Sequence, residues 1–395
     1  MKLSPLSVKS RINYADLNTD ILIKQSNIKC SSMESDVVAR VLTKYFRKGN
    51  MARCLRDILP SANLTKKQRE DIADIVHTVV RWKRLYEHII DMQGLPKSVE
   101  TYLKLALEGA QAEAASYPFE YRYSCSPYIA GILKDRGHWA EYLNETPPTT
   151  LCVNFNKSTT DEVISLLHQE SLVVERSVLP TALLTTSIGK YSRVIQEHYA
   201  HVQDESSQFV SFLAALFGSS LFDFCAGNGG KSLALASMTK NKKKLSAYEI
   251  NTAKRTILKQ RCGQYNAKVI VEDILPNSKY DVVLVDAPCT GVGAARRNPE
   301  AKYVENAKNL SQTQESLLAQ ATANVKSGGL LFYAVCTITP EETSDVIEKF
   351  LSNNEYSLLQ LDEFPSYKFL LKEKYGFFTG IPRGDLFFIS ILKKS

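Results

Sequence analysis

The chain has no run of about 18 apolar residues, the length a membrane-crossing helix needs, so a spanning helix is excluded. Its first residues mix Lys2, Lys9 and Arg11 with polar side chains and lack an apolar core, which predicts no secretory signal and a cytoplasmic location. Low-complexity tracts are missing too. At 44% hydrophobic and 23% charged residues, the composition is that of a globular protein. No CxxC pair occurs among the eight cysteines, Cys30, Cys54, Cys125, Cys152, Cys225, Cys262, Cys289 and Cys336. That argues against a zinc ribbon and, in a chain of this length, against a disulfide framework. No metal is expected. The thiols should be reduced, and most of them small buried hydrophobes. The net charge of +7 permits an anionic partner without naming one.

A chain of 395 residues exceeds one ordinary core, so two or three domains are expected. Residues 1–29 are polar, without a clear period, and read as an arm. From 30 to 142 the text is helical throughout. Val37, Val38, Val41, Leu42 and Phe46 recur at three- and four-residue steps, as do Ile72, Ile75, Val76, Val79, Trp82 and Leu85. Pro147-Pro148 marks a boundary. Beyond it Leu151–Asn156 alternates like a strand, and an amphipathic stretch covers Asp161–His168. A small α+β unit at 149–200 accounts for both. From 201 to 395 short apolar runs alternate with helical text: Leu221–Cys225, Leu245–Glu249, Lys268–Val271, Tyr280–Asp286 and Gly329–Val335. This is the α/β pattern of a parallel sheet with crossover helices, a Rossmann-like fold. The tail Asp385–Leu392 supplies a late antiparallel strand.

The first of those strands runs into Cys225-Ala226-Gly227-Asn228-Gly229-Gly230-Lys231-Ser232 and then into a helix. A strand, a glycine-rich turn and a helix N-terminus let a ligand approach backbone N–H groups. The phosphate-loop spacing fails, because GxxxxGK[ST] needs glycine where Cys225 stands. A nucleoside-type cofactor fits better. Glu249, Asp273 and Asp286 fall at or just beyond three further strand ends, which converge on one crevice in an open α/β sheet. Cys289 and Cys336 likewise lie just past the ends of two strands expected to be neighbours. With about 4.8 Å between adjacent strands, both thiols can face one pocket. Two buried fillers is the plain alternative for that pair.

Taken together, the loop Cys225–Ser232, the run Asp286-Ala287-Pro288-Cys289-Thr290-Gly291-Val292-Gly293, Ala295-Arg296-Arg297-Asn298-Pro299, Val335-Cys336-Thr337 with Glu341-Glu342 downstream, and Gln203–Gln208 resemble the RsmB/NOP2/NSUN family of RNA 5-methylcytosine methyltransferases. The likeness spans about 150–395. The helical region further resembles a NusB-like RNA-binding domain, and 149–200 is similar to an RRM-like unit. The resemblance implies a methyltransferase that uses S-adenosyl-L-methionine to methylate carbon 5 of a cytosine in RNA. Cys336 would be the nucleophile, Cys289 the residue that assists release, and Asp286 the group at the pyrimidine edge. It places the cofactor on Cys225, Ala226, Gly227, Asn228, Gly229, Gly230, Lys231, Glu249, Asp273 and Asp286. Arg296 and Arg297 become candidates for the RNA backbone. A thiolate populated at neutral pH implies a lowered Cys336 pKa.

The departures from the family pattern are Gly227 and Asn228 in the loop, Glu249 where Asp is commoner, Lys254 where Arg is frequent, and Val335 and Thr337 around Cys336. They bear first on cofactor affinity. Ribosomal RNA is favoured over transfer RNA as partner, by analogy with the NusB-like module. Nothing suggests a large symmetric interface, so a monomer is expected. Two rivals stay open: a DNA-type enzyme in which the Pro-Cys cysteine attacks, and a non-catalytic RNA-binding assembly factor.

Overall fold

A computed structural model describes residues 32–186, 188–359 and 369–395; the arm expected at 1–29 lies outside them. The chain divides into two compact units.

The first unit is helical. It comprises the described residues up to Thr146 and, from much later in the chain, Ala294–Asn306. Helices cover Ser32–Lys48, Met51–Ile58, Lys66–Arg81, Lys83–Gln93 and Val99–Leu107, with shorter ones at Pro127–Leu133 and Gly137–Tyr142. Their ends follow local chemistry. Thr65 and Gln68 form a reciprocal capping box at the start of Lys66–Arg81. Gly94, in the left-handed conformation, stops Lys83–Gln93. The stripes read from the sequence meet in one core of Val38, Val41, Leu42, Ile72, Val76 and Val79. Trp82, at a helix end, packs partly buried against that core, and Phe46 sits at its margin against the Tyr102 ring, 5.0 Å between centroids.

The second unit holds both α/β parts, Pro147–Gly293 and Ala307–Ser395. Its smaller sheet has the order β2-β3-β1-β4, from strands β1 (Thr149–Val153), β2 (Val174–Arg176), β3 (Ala182–Thr185) and β4 (Ala200–Val202). A Thr159/Glu162 capping box starts the helix Thr160–Gln169, whose Val163 and Leu167 bury against this sheet. Ser237 donates its hydroxyl to the Val153 carbonyl at 2.9 Å and accepts from the Phe155 N–H at 2.8 Å. These two bonds attach the small sheet to the larger one's first crossover helix.

Among the described residues the larger sheet has nine strands. In chain order they are β5 (Ser220–Asp223), β6 (Lys244–Tyr248), β7 (Ile270–Glu272), β8 (Tyr280–Asp286), β9 (Val325–Val335), β10 (Tyr356–Leu358), β11 (Leu370–Glu373), β12 (Gly376–Thr379) and β13 (Phe388–Lys394). Their order is β11-β12-β13-β9-β8-β5-β6-β7, with β10 on β13. Strands β5 to β9 run parallel, and β13 pairs antiparallel with β9 along Phe388↔Val335 to Lys393↔Leu330. Strands β10 to β12 are short pieces that the sequence pattern does not foretell. The strand order reverses between β5 and β8. Their carboxyl ends therefore open the crevice where ligands of such sheets bind.

Candidate active site

The register of β8 on β9 pairs Asp286 with Ala334, so both chains leave the sheet at the same level. Three residues past Asp286 stands Cys289, and two past Ala334 stands Cys336. Their sulfurs lie 3.4 Å apart. A third segment closes on this point. Gly293 donates its N–H to the Cys336 carbonyl at 3.0 Å and accepts from the Leu386 N–H at 3.0 Å. The sequence brings the two thiols together because each ends a buried apolar run of one parallel pair.

Next to them the glycine loop leaves β5. Gly227 and Gly229 take positive φ angles of 55° and 89°, and Gly229 caps the helix Gly230–Met238. Space is open where a Gly227 side chain would stand, so the loop backbone is bare on that side. The Glu249 carboxylate accepts the Gly227 N–H at 2.9 Å and the Asn251 N–H at 2.7 Å. Lys231 is buried and donates to Asp286 at 2.6 Å, its ammonium 4.9 Å from the centre of the Phe387 ring. Cys225 is mostly covered, and burial pushes its thiol far up, which leaves it inert. The Asn228 carbonyl takes a bond from Arg261 at 2.8 Å. Asp273, at the end of β7, is exposed and held by Lys259 at 2.7 Å and Arg255 at 3.3 Å. Ile250 and Ile274, each just after one of the acids, are 81% and 78% exposed. An open side to the loop backbone, acids at two strand ends and uncovered apolar side chains beside them suit the sugar and flat base of a nucleoside. The residues present fit such a cofactor.

Two acids escaped the sequence reading. Asp223, the last residue of β5, is fully buried and accepts from Ser232 at 2.5 Å; burial raises its carboxyl to about 7. An acid inside Leu-Phe-Asp-Phe was the available signal. Glu342 was visible only as half of an acidic pair, yet it is wholly buried.

Two expectations are corrected. Cys336 does not have a lowered pKa. The hydrogen bond to the Cys289 thiol, burial, the Cys289 charge and Asp286 all push its thiol well above the ordinary value, and only Lys231 pulls it down. Arg296 is not an exposed phosphate contact. It belongs to the helical unit, 3% exposed, and donates to the Tyr142 hydroxyl at 2.6 Å with its guanidinium 4.2 Å from that ring's centre. Glu145 lies 3.6 Å from it. Beside it Arg81 donates to the carbonyls of Asn144, Glu145 and Arg296. Lys302, buried with Arg81 near, is pushed down to about 7 and bonds the Arg81 and Tyr123 carbonyls. A basic turn in the sequence is thus a packed cationic knot. Arg297 of the same turn is half-buried. Arg296→Ala is expected to cost about 2–3 kcal/mol in urea unfolding, from a lost charged hydrogen bond and ring contact. It should leave the salt dependence of RNA binding unchanged, where loss of a phosphate contact would lower the slope by about one.

Strand order, switch point and glycine loop give the sheet of the Rossmann-like methyltransferase fold. Residues 210–393 match the family described as 16S rRNA methyltransferase RsmB/F. Over that stretch, just under half of its length, the chain is similar to the RsmB/NOP2/NSUN family of RNA methyltransferases. Among its relatives, the ribosomal RNA small subunit methyltransferase B of Citrobacter koseri is 31% identical over 227 residues, 53% of this chain and 52% of that protein. The probable enzyme of the same name from Bacillus subtilis is 29% identical over 223 residues, 53% and 50% of the two chains. The chain thus spans about half the length of these curated relatives. Two solved structures share the fold. PH0851 matches with a TM-score of 0.74 at 21% identity, over 93% of this chain and 99% of its own. NSun6 from Pyrococcus horikoshii, solved with SFG, matches with a TM-score of 0.57 at 15% identity, over 68% and 97%.

Proposed function

We propose that the chain transfers a methyl group from S-adenosyl-L-methionine to carbon 5 of a cytosine in RNA. Ribosomal RNA is the favoured substrate, in keeping with the names of the small-subunit relatives. The observation that carries this reading is the pair of sulfurs 3.4 Å apart beside a nucleoside-type cradle.

The cofactor's place is on the backbone of Cys225, Ala226, Gly227, Asn228, Gly229, Gly230 and Lys231, with Glu249, Asp273 and Asp286 around it. When bound there it supplies an electrophilic methyl group. Cytosine C5 is a poor nucleophile, and the protein must make it a better one. The Cys336 thiolate adds to C6, forming an S–C6 bond and pushing electron density to C5. Asp286 holds a proton at N3 as that charge develops. After methylation Cys289 assists loss of the C5 proton, the S–C6 bond breaks, and Cys336 leaves as thiolate. The Cys336 thiol is protonated in the resting site, so its proton has to leave before attack. Lys231 is the neighbour that favours the thiolate.

Tritium from labelled cofactor should appear in RNA from a strain lacking the gene. Bisulfite sequencing of that RNA against its parent should show a lost C5-methyl signal at one position. RNA binding without transfer would instead establish a non-catalytic assembly factor.

A further inference from the structure

We propose that Glu342 is the positioning residue that holds the two cysteine loops in register; this rests on the reading of Cys336 and Cys289 as the reacting pair. A surface glutamate is ordinarily solvated, and burying a carboxylate is costly unless it is fully hydrogen-bonded. Glu342 has no exposed surface. Five neutral donors surround its two oxygens. Oε1 accepts the Thr290 N–H at 2.9 Å and the Gln314 side-chain amide at 2.9 Å. Oε2 accepts the hydroxyls of Thr290 at 2.5 Å, Thr337 at 3.1 Å and Thr339 at 2.7 Å.

Those partners are the residues next to the thiols. Thr290 follows Cys289, and Thr337 follows Cys336. The two hydroxyls lie 2.7 Å from each other. The Gln314 amide also donates to the Pro288 carbonyl at 2.9 Å, on the other side of Cys289. Glu342 is fixed in turn from β9, where the Tyr333 hydroxyl donates to its carbonyl at 2.7 Å. One carboxylate therefore ties the loop after β8 to the loop after β9. The 3.4 Å between the sulfurs is set by that tie as well as by the strand register. A thiol displaced by about 1 Å loses the aligned approach that attack requires.

The test uses the full chain and two variants. Glu342→Gln keeps the volume and both Oε1 bonds, while its amide faces hydroxyls that can turn to accept. Glu342→Ala removes all five bonds. Phenylarsine oxide, which bridges two thiols only when they are close, reports the pair without any turnover. With Glu342→Ala, kcat should fall about 100-fold with KM for the cofactor within about twofold, and the bridging rate should fall about tenfold; Glu342→Gln should recover most of both. S-adenosylhomocysteine affinity should not move, which separates positioning from general loss of structure. If Glu342→Ala folds and keeps wild-type kcat and bridging, the proposal is wrong. If Glu342→Ala does not fold, a Glu342→Gln protein indistinguishable from wild type overturns it equally, and a partial kcat and bridging loss supports it. Should Cys336→Ala still transfer methyl groups, the nucleophile assignment fails, while the arsenical readout still decides whether Glu342 sets the spacing.

Discussion

Cys336→Ala should abolish methyl transfer, by about four orders of magnitude or more, the scale on which removing a nucleophile acts. Cys289→Ala should behave differently although its sulfur is 3.4 Å away. Without the residue that assists release, the S–C6 bond persists, and the protein should run on denaturing gels as a slow, RNase-sensitive species. The double variant should show neither transfer nor adduct. The DNA-type alternative predicts the reverse: Cys289→Ala would simply stop attack, and Cys336→Ala would leave it intact. Gel shift of the two single variants with substrate RNA separates these outcomes in one experiment.

The second large effect is expected at Gly293. A methyl group there would sit 2.0 Å from the Leu386 carbonyl oxygen and 3.1 Å from the Cys336 backbone carbon. Neither atom is the end of a flexible side chain, so backbone must shift. Gly293 also bonds both Cys336 and Leu386, so the shift is delivered to the loop that carries Cys336, the proposed nucleophile. Gly293→Ala should lower kcat about 100-fold by misplacing Cys336. The stability loss should be the smaller effect, about 1–3 kcal/mol from overpacking. Steady-state kinetics with thermal unfolding of the same preparation checks both. A variant as active as wild type would show that the loop has slack.

The thiol pair could be read from the sequence because its placement follows from strand parity. Two buried apolar runs ending in a cysteine, neighbours in a parallel sheet, leave little choice about where the sulfurs go. Glu249 and the glycine loop were legible for the same reason. Glu342 was not, because the four residues that make its five bonds come from segments between Thr290 and Thr339 that only the folded chain assembles. Arg296 misled because charge in a turn says nothing about burial; its cover comes from Tyr142 and the residues around it, far back in the chain. The Cys336 thiol misled in the other direction. The proposed chemistry calls for a thiolate, but the Cys289 thiol, burial and Asp286 all oppose one in the resting protein. Strands β10 to β12 stayed hidden because strands of three or four residues carry too little alternation to show a period.

The thirteen-odd residues that leave the larger sheet after Gly293 and return at Ala307 complete the helical unit. Within it Ser126 donates to two carbonyls of that stretch, its N–H to that of Lys302 at 3.0 Å and its hydroxyl to that of Val304 at 2.6 Å. Tyr303 donates to Val80 at 2.7 Å, and Met51 bonds Glu300 at 3.2 Å. Modularity in this protein is consequently one-way in appearance only. A scissile point at Pro147 looks like a seam, but severing the chain there would hand over an N-terminal piece deprived of its own plug. Swapping such a piece between relatives requires transplanting the distant loop as well.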